Sequence, residues 1–166
     1  MKYTLPPLAA LAAFALLATG VNAQNSSDSE RIARDYMASY SAIDWDAMES
    51  MLAEDAIFED STAIGPDIGI DGLRHEGREE TMTALRAFSE TNQPIELGFV
   101  WETVFQSNER VVFIGEVNAL FPTQTEGQTF RWRAEQVSVI TIRDGQVVRH
   151  QDFANYRSPD QSLILQ

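Results

Sequence analysis

The chain contains no cysteine. A disulfide scaffold and a Cys–His nucleophile pair are therefore excluded. Lysine is nearly missing as well: of twelve basic residues only Lys2 is a lysine, and the other eleven are arginines. Twenty-five Asp and Glu oppose them, for a net charge of −13. Such a surface repels phosphate backbones and anionic lipid, which argues against nucleic acid or a membrane surface as partner. Histidine is limited to His75 and His150, with no second ligand at metal spacing. Asp67, Asp71 and Glu76 lack the spacing of a known calcium loop. No metal or cofactor is expected. Glycine-rich phosphate loops, nucleophile elbows, internal repeats and low-complexity tracts are all missing.

Only one long apolar run exists, from Leu5 to Ala18, and it sits behind Lys2. Thr19-Gly20 and Val21-Asn22-Ala23 follow. A basic start, a short apolar stretch and small residues before a cut describe a secretory signal peptide over 1–23. The run is short for a membrane span and is interrupted by Pro6 and Pro7. An uncleaved anchor is the alternative. No cysteine follows the small residues, so a lipoprotein anchor is not available. The expected location is periplasmic or secreted, with no membrane contact once the signal is removed.

Residues 24–28 read as a polar linker, 29–157 as one domain and 158–166 as a C-terminal tail. Asp28 or Ser29 can cap a helix whose apolar stripe is Ile32, Ala33, Tyr36, Met37, Tyr40 and Ile43. Asp44 caps a shorter helix with Trp45, Met48 and Leu52 on one face. Ala56–Asp60 is a short strand. Ser61–Glu76 has glycines and no period, and reads as a long loop. Gly77–Thr91 is a third helix with Met82, Leu85 and Phe88 inward. Two alternating strands follow around Ser107-Asn108-Glu109, then a hairpin of 130–142 and 146–156 across Asp144-Gly145. Gly98 and Gly115 inside strands fit bends or bulges. Helices first and long hairpins afterwards give an α+β fold.

Tyr36 followed by Ala56-Ile57-Phe58-Glu59-Asp60 resembles the ketosteroid isomerase pattern, in order and in Tyr-to-Asp separation. The final hairpin, Asp144-Gly145-Gln146-Val147-Val148-Arg149-His150-Gln151-Asp152, is similar to the end of SnoaL-like proteins. The resemblance covers about Ser29–Tyr156. It implies the nuclear transport factor 2-like fold, a cone-shaped curved antiparallel sheet wrapped around three N-terminal helices. It also implies a deep apolar pocket. Asp60 would be the carboxylate base, Tyr36 a phenol donor, and His150 and Asp152 a pocket-facing pair. Where the isomerases carry a second acid, this chain has Ser138. Tyr40, Phe58, Leu85, Phe88, Trp101, Phe113, Trp132 and Ser138 are the expected ligand-lining residues.

The residues support this chemistry on their own terms. A carboxylate against an apolar wall is tuned toward proton abstraction beside a carbonyl. Asp60 could instead cap the loop after it, and Tyr36 could be a satisfied core tyrosine. His150 and Asp152 share one strand face. A two-residue turn would set them beside Val137 and Val139, and a three-residue loop beside Gln136 and Ser138. Arg131, Arg133 and Glu135 alternate on one face and suggest a solvent or dimer ladder. The expected function is cofactor-free acid–base catalysis (isomerase, cyclase or hydrolase) on a small hydrophobic carbonyl compound. The alternative is a non-catalytic binding module on the same fold. A homodimer through the outer sheet face is expected.

Overall fold

The structure, a computed structural model, describes residues 15–65 and 68–165, with side chains from residue 28 onward. Most of the expected signal peptide, residues 1–14, lies outside the described residues. The first helix, α1 (Ala15–Ser41), starts earlier than the expected cap. It takes in residues 15–23 and the expected linker 24–28.

The three- and four-residue spacing of the α1 stripe has the predicted effect. Ala33, Tyr36 and Met37 are buried against the sheet. The helix is closed by backbone bonds from Ile43 N to Tyr40 O and from Asp44 N to Ser39 O. This closure places Ile43 at φ 60°, a conformation costly for a β-branched residue. Asp44 then caps α2 (Trp45–Met51) through its side chain on Ala47 N. Leu52, expected on that helix, instead opens β1 (Leu52–Asp60), which is longer than predicted.

The expected loop contains a second strand, β2 (Leu73–Glu76), antiparallel to β1. Next come α3 (Arg78–Asn92), β3 (Glu96–Ser107), β4 (Arg110–Pro122), β5 (Gln128–Arg143) and β6 (Gln146–Ala154). The expected tail forms β7 (Asp160–Leu165), which pairs with β5 where β6 has left it. The sheet runs β2-β1-β6-β5-β4-β3. It is mixed: β1 and β6 are parallel, and every other pairing among the described residues is antiparallel.

Three register shifts interrupt the described sheet: one in β1 between Leu52 and Ile57, and two in the long strands. In β3 the register slips between Trp101 and Thr103, opposite Gly115. A Cβ on Gly115 would overlap the carbonyl oxygen of Val100, so only glycine lets β3 bulge there. In β6 the register slips beside Val148, because Ile142 faces Val147 while Thr141 faces Arg149. The consequence reaches the site. Asp144 (φ 52°) and Gly145 (φ 78°) make a two-residue turn with both residues left-handed. Unbroken pairing from that turn would set Asp152 beside Val137. The extra residue Val148 sets it opposite Ser138, and His150 opposite Ile140. Of the two alternatives open in the sequence, the Ser138 neighbourhood is the one formed, but a bulge produces it and not a longer loop.

Candidate functional site

Strand alternation sends Phe58 and Asp60 of β1, His150 and Asp152 of β6, and Gln136 and Ser138 of β5 to the inner face. All six are buried. Above them lie Tyr36 and Tyr40 of α1. His150 is the centre of an aromatic cluster. Its ring centroid lies 4.6 Å from Phe58, 5.4 Å from Tyr40 and 5.5 Å from Tyr36, each edge-on. Tyr40 extends the cluster to Phe99, which stacks on Trp101, and Trp101 meets Phe113.

A polar chain runs through this cluster. The Tyr36 hydroxyl lies 3.1 Å from His150 Nδ1. Burial, and next the negative charge of Asp152, raise the Tyr36 hydroxyl well above the ordinary tyrosine value. Tyr36 therefore stays protonated, and which partner donates in this bond depends on the His150 tautomer. Nε2 lies 2.9 Å from Asp152 Oδ1 but makes no aligned hydrogen bond there, so the contact is a close electrostatic one. Ser138 Oγ donates to Asp152 Oδ1 at 2.5 Å and accepts from Gln136 Nε2 at 3.1 Å. Burying a carboxylate is expensive, and these partners offset the cost.

Asp60 sits opposite Asp152 in the β1–β6 register but holds a separate set of partners. Its Oδ1 accepts from Thr62 N at 3.0 Å and from Thr62 Oγ1 at 2.8 Å. Its Oδ2 accepts from the Tyr156 hydroxyl at 2.6 Å. Thr62 Oγ1 in turn accepts from Ala154 N, tying the segment after β1 to the end of β6. The Tyr156 hydroxyl is pushed up by burial first, then by the charge and hydrogen bond of Asp60. Its ring lies against Trp132 at 5.4 Å. Tyr40 is also raised, by burial first and then by Asp152 and its other anionic and phenolic neighbours.

The four expected catalytic residues are thus neighbours, in two networks rather than one. Asp60 and Asp152 keep 6% and 4% exposure, whereas Tyr36 and His150 keep none. Phe58 and Tyr40 contact His150, Phe113 is paired with Ser138 of the chain, and Trp101 joins through Phe99 and Phe113. Trp132 lies against Tyr156, in the Asp60 network. Leu85 packs in the core, and Phe88 is 38% exposed beside Phe121, away from His150. A cavity of about 600 Å³ lies between residues 61–65 and 68–70 on one side and 154–157 on the other. Thr62 and Tyr156 line it. No group of three or more His, Asp or Glu poised to hold a metal occurs among the described residues.

Thr62, Tyr156, Gln136 and Phe99 were not anticipated. Two-residue spacing was the available signal. Tyr156 follows His150, Asp152 and Ala154 along one face, and Thr62 follows Asp60. On the opposite face Glu59 accepts from Arg74, Arg149 and Gln151 at 2.6–2.7 Å, clamping β2, β1 and β6 together behind the site.

Comparison with known proteins agrees with this architecture. The SnoaL-like domain family matches residues 33–150. A protein of Shewanella denitrificans OS-217, provisionally named a SnoaL-like polyketide cyclase, has the same fold at TM-score 0.65 and 18% identity. The match covers 78% of this chain and 91% of that one. A provisionally named ketosteroid isomerase of Kribbella flavida gives TM-score 0.57 at 18% identity, over 78% and 79% of the two chains. An LEH-like epoxide hydrolase of M. tuberculosis gives 0.58 at 14% identity, over 80% and 86%. At these identities the likeness shows the fold alone. No curated protein matches the chain. Three helices against a curved, open mixed sheet, with the family match over most of the length, give one conclusion: the chain belongs to the SnoaL-like domain family, with the nuclear transport factor 2-like fold.

Proposed function

We propose that the protein is a cofactor-free acid–base catalyst acting on a small hydrophobic carbonyl compound, as an isomerase, cyclase or hydrolase. One observation carries the reading. Two buried carboxylates, Asp60 and Asp152, are paired across β1 and β6, and the second lies 2.9 Å from the buried His150 Nε2 without an aligned hydrogen bond. Buried, closely spaced ionisable groups of this kind are candidates for proton-transfer chemistry. Asp60 would take the proton next to the carbonyl. The negative charge that builds on the carbonyl oxygen would be met by His150, which Tyr36 and Asp152 orient. Tyr40, half-buried over His150, is the ring that a substrate would displace.

The test needs no known product. Candidate carbonyl compounds are incubated with the protein in heavy water, and deuterium uptake beside the carbonyl is followed by NMR. Uptake catalysed by the wild type is expected. Tight binding of such compounds with no exchange and no turnover would favour the second reading, a non-catalytic binding module.

The proposal extends to assembly and location. The outer sheet face carries Phe105, Ile114, Val137, Val139 and Phe153 as apolar neighbours across four strands, with Ile114 and Phe105 39% and 45% exposed. A two-fold homodimer would cover them. Light scattering at micromolar concentration should give twice the chain mass, and a monomer contradicts it. Export is proposed from the sequence of residues 1–23. The intact mass of the exported protein should lack that segment. None of the described helices is long and apolar enough to cross a membrane.

A further inference from the structure

We infer that Tyr156 is a positioning residue for the proposed base: its hydroxyl holds Asp60 at Oδ2, the oxygen that takes the proton, and keeps that carboxylate charged within the site. The inference rests on the proposed role of Asp60 only for where the proton comes from. The choice of oxygen and the part played by Tyr156 stand on geometry.

Each oxygen of an ionised carboxylate offers two lone pairs, and each lone pair accepts one good hydrogen bond. At Oδ1 both are taken. Thr62 N donates to it at 3.0 Å and Thr62 Oγ1 at 2.8 Å. The Thr62 hydroxyl is itself fixed, because it accepts from Ala154 N at 2.7 Å and spends its one proton on Asp60. A proton arriving at Oδ1 has to break one of these bonds. Oδ2 is therefore the reacting oxygen. Tyr156 donates to it at 2.6 Å, a short, charge-assisted bond. One lone pair of Oδ2 carries that bond, and the other meets the substrate C–H. In the step, the C–H bond breaks, the proton bonds to Oδ2, and the electron pair stays on the substrate as an enolate.

Two buried carboxylates on neighbouring strands, Asp60 and Asp152, hold their charges only where donors meet them. Tyr156 is suited to be such a donor. Burial first, then the charge and hydrogen bond of Asp60, keep its hydroxyl protonated, so it does not give its proton away. Its ring lies against Trp132. Ala154 couples the two holders of Asp60: its N donates to Thr62 Oγ1, and its O accepts from Tyr156 N at 3.0 Å. The other titratable groups around Asp60 among the described residues are Asp152 of β6, with His150 beside it, and Tyr40 of α1. β2 sets the apolar Leu73 opposite Asp60.

Two readouts on the full chain test this. The first needs no substrate. The carboxyl carbon of Asp60, labelled with carbon-13 and assigned through Asp60→Asn, is titrated by NMR. Tyr156→Phe removes the donor and keeps the ring. The midpoint of the Asp60 titration should then rise by about one pH unit, a tenfold change, as fits a lost hydrogen bond to a charged group. Replacing Tyr156 by 3-fluorotyrosine, a more acidic phenol and stronger donor of nearly the same shape, should lower the midpoint. Loosened packing does not produce opposite shifts from two substitutions. If Tyr156→Phe does not fold, the 3-fluorotyrosine shift decides. A midpoint that stays put, or that moves the same way in both variants, overturns the assignment. The second readout is deuterium exchange against pH, in which the acid limb of Tyr156→Phe should move up with the midpoint. A limb that stays while the midpoint moves contradicts Asp60 as the base. If the midpoints move as stated and no compound exchanges deuterium, the catalytic reading falls while the hold of Tyr156 on Asp60 stands.

Discussion

Asp60 and Asp152 face each other across the parallel β1–β6 pair, and each satisfies its charge from a different direction. Asp60 is held from the cavity side by Thr62 and Tyr156. Asp152 is held from the interior by Ser138 and His150. The arrangement keeps two carboxylates close together without a shared partner. It also leaves Asp60 as the one nearer solvent. A base must reach substrate, so this division of partners supports Asp60 over Asp152 in that role.

Ser138 is the hinge of the interior network, since it donates to Asp152 and accepts from Gln136. Ser138→Ala removes both bonds and leaves buried polar atoms unpaired. Denaturant unfolding should show a loss of about 1–3 kcal/mol. An unchanged stability would mean that Asp152 is anchored by other groups.

Gly72 ties the segment after β1 to the site. It adopts φ 81°, and a Cβ there would overlap the carbonyl oxygen of Asp60. Gly72→Ala should therefore both destabilise the fold, by about 2–4 kcal/mol, and displace Asp60. Gly145→Ala is the control. It shares the left-handed backbone, but a Cβ there meets nothing within 4 Å. It should cost only about 1 kcal/mol and leave the site intact. Equal losses in the two variants would contradict the predicted clash.

Tyr36, Tyr40 and Tyr156 all have raised hydroxyl values in the folded protein. A raised folded value for an acid that ionises to an anion means that folding favours the protonated form. The associated stability is full below the unfolded value of about 10 and is lost as the pH climbs above it. Tyrosinate absorbance should thus stay low in the folded protein above pH 10 and rise together with unfolding. Tyr3→Phe removes the fourth tyrosine from the signal. Ordinary titration of all three tyrosines near pH 10 without unfolding would contradict their burial.

Legibility from sequence followed the range of the interactions. The α1 stripe, the Asp44 cap and the Asp144-Gly145 turn are local, and each formed where its residues indicated. The Tyr36-to-Asp60 spacing carried the family resemblance, and both residues lie on the inner side. The face of His150 and Asp152 was undetermined because it depends on the bulge at Val148. Val147 and Val148 are both apolar, so alternation could not reveal the extra residue. β7 was missed because it exists through the edge of β5 left free past β6, a tertiary circumstance. β2 was hidden by its four-residue length and glycine-rich approach. Tyr156 was passed over as the strand's end, although its spacing from Asp152 placed it on the same face.

The central claim is that Asp60 moves the proton, and solvent-deuterium exchange by Asp60→Asn tests it most directly. The amide keeps the shape and removes the base, so exchange should fall about 10²–10⁴-fold while ligand affinity changes little. Tyr36→Phe, which removes one hydrogen bond to His150 and keeps the ring, should cost less. Exchange by Asp60→Asn at the wild-type rate would contradict the account.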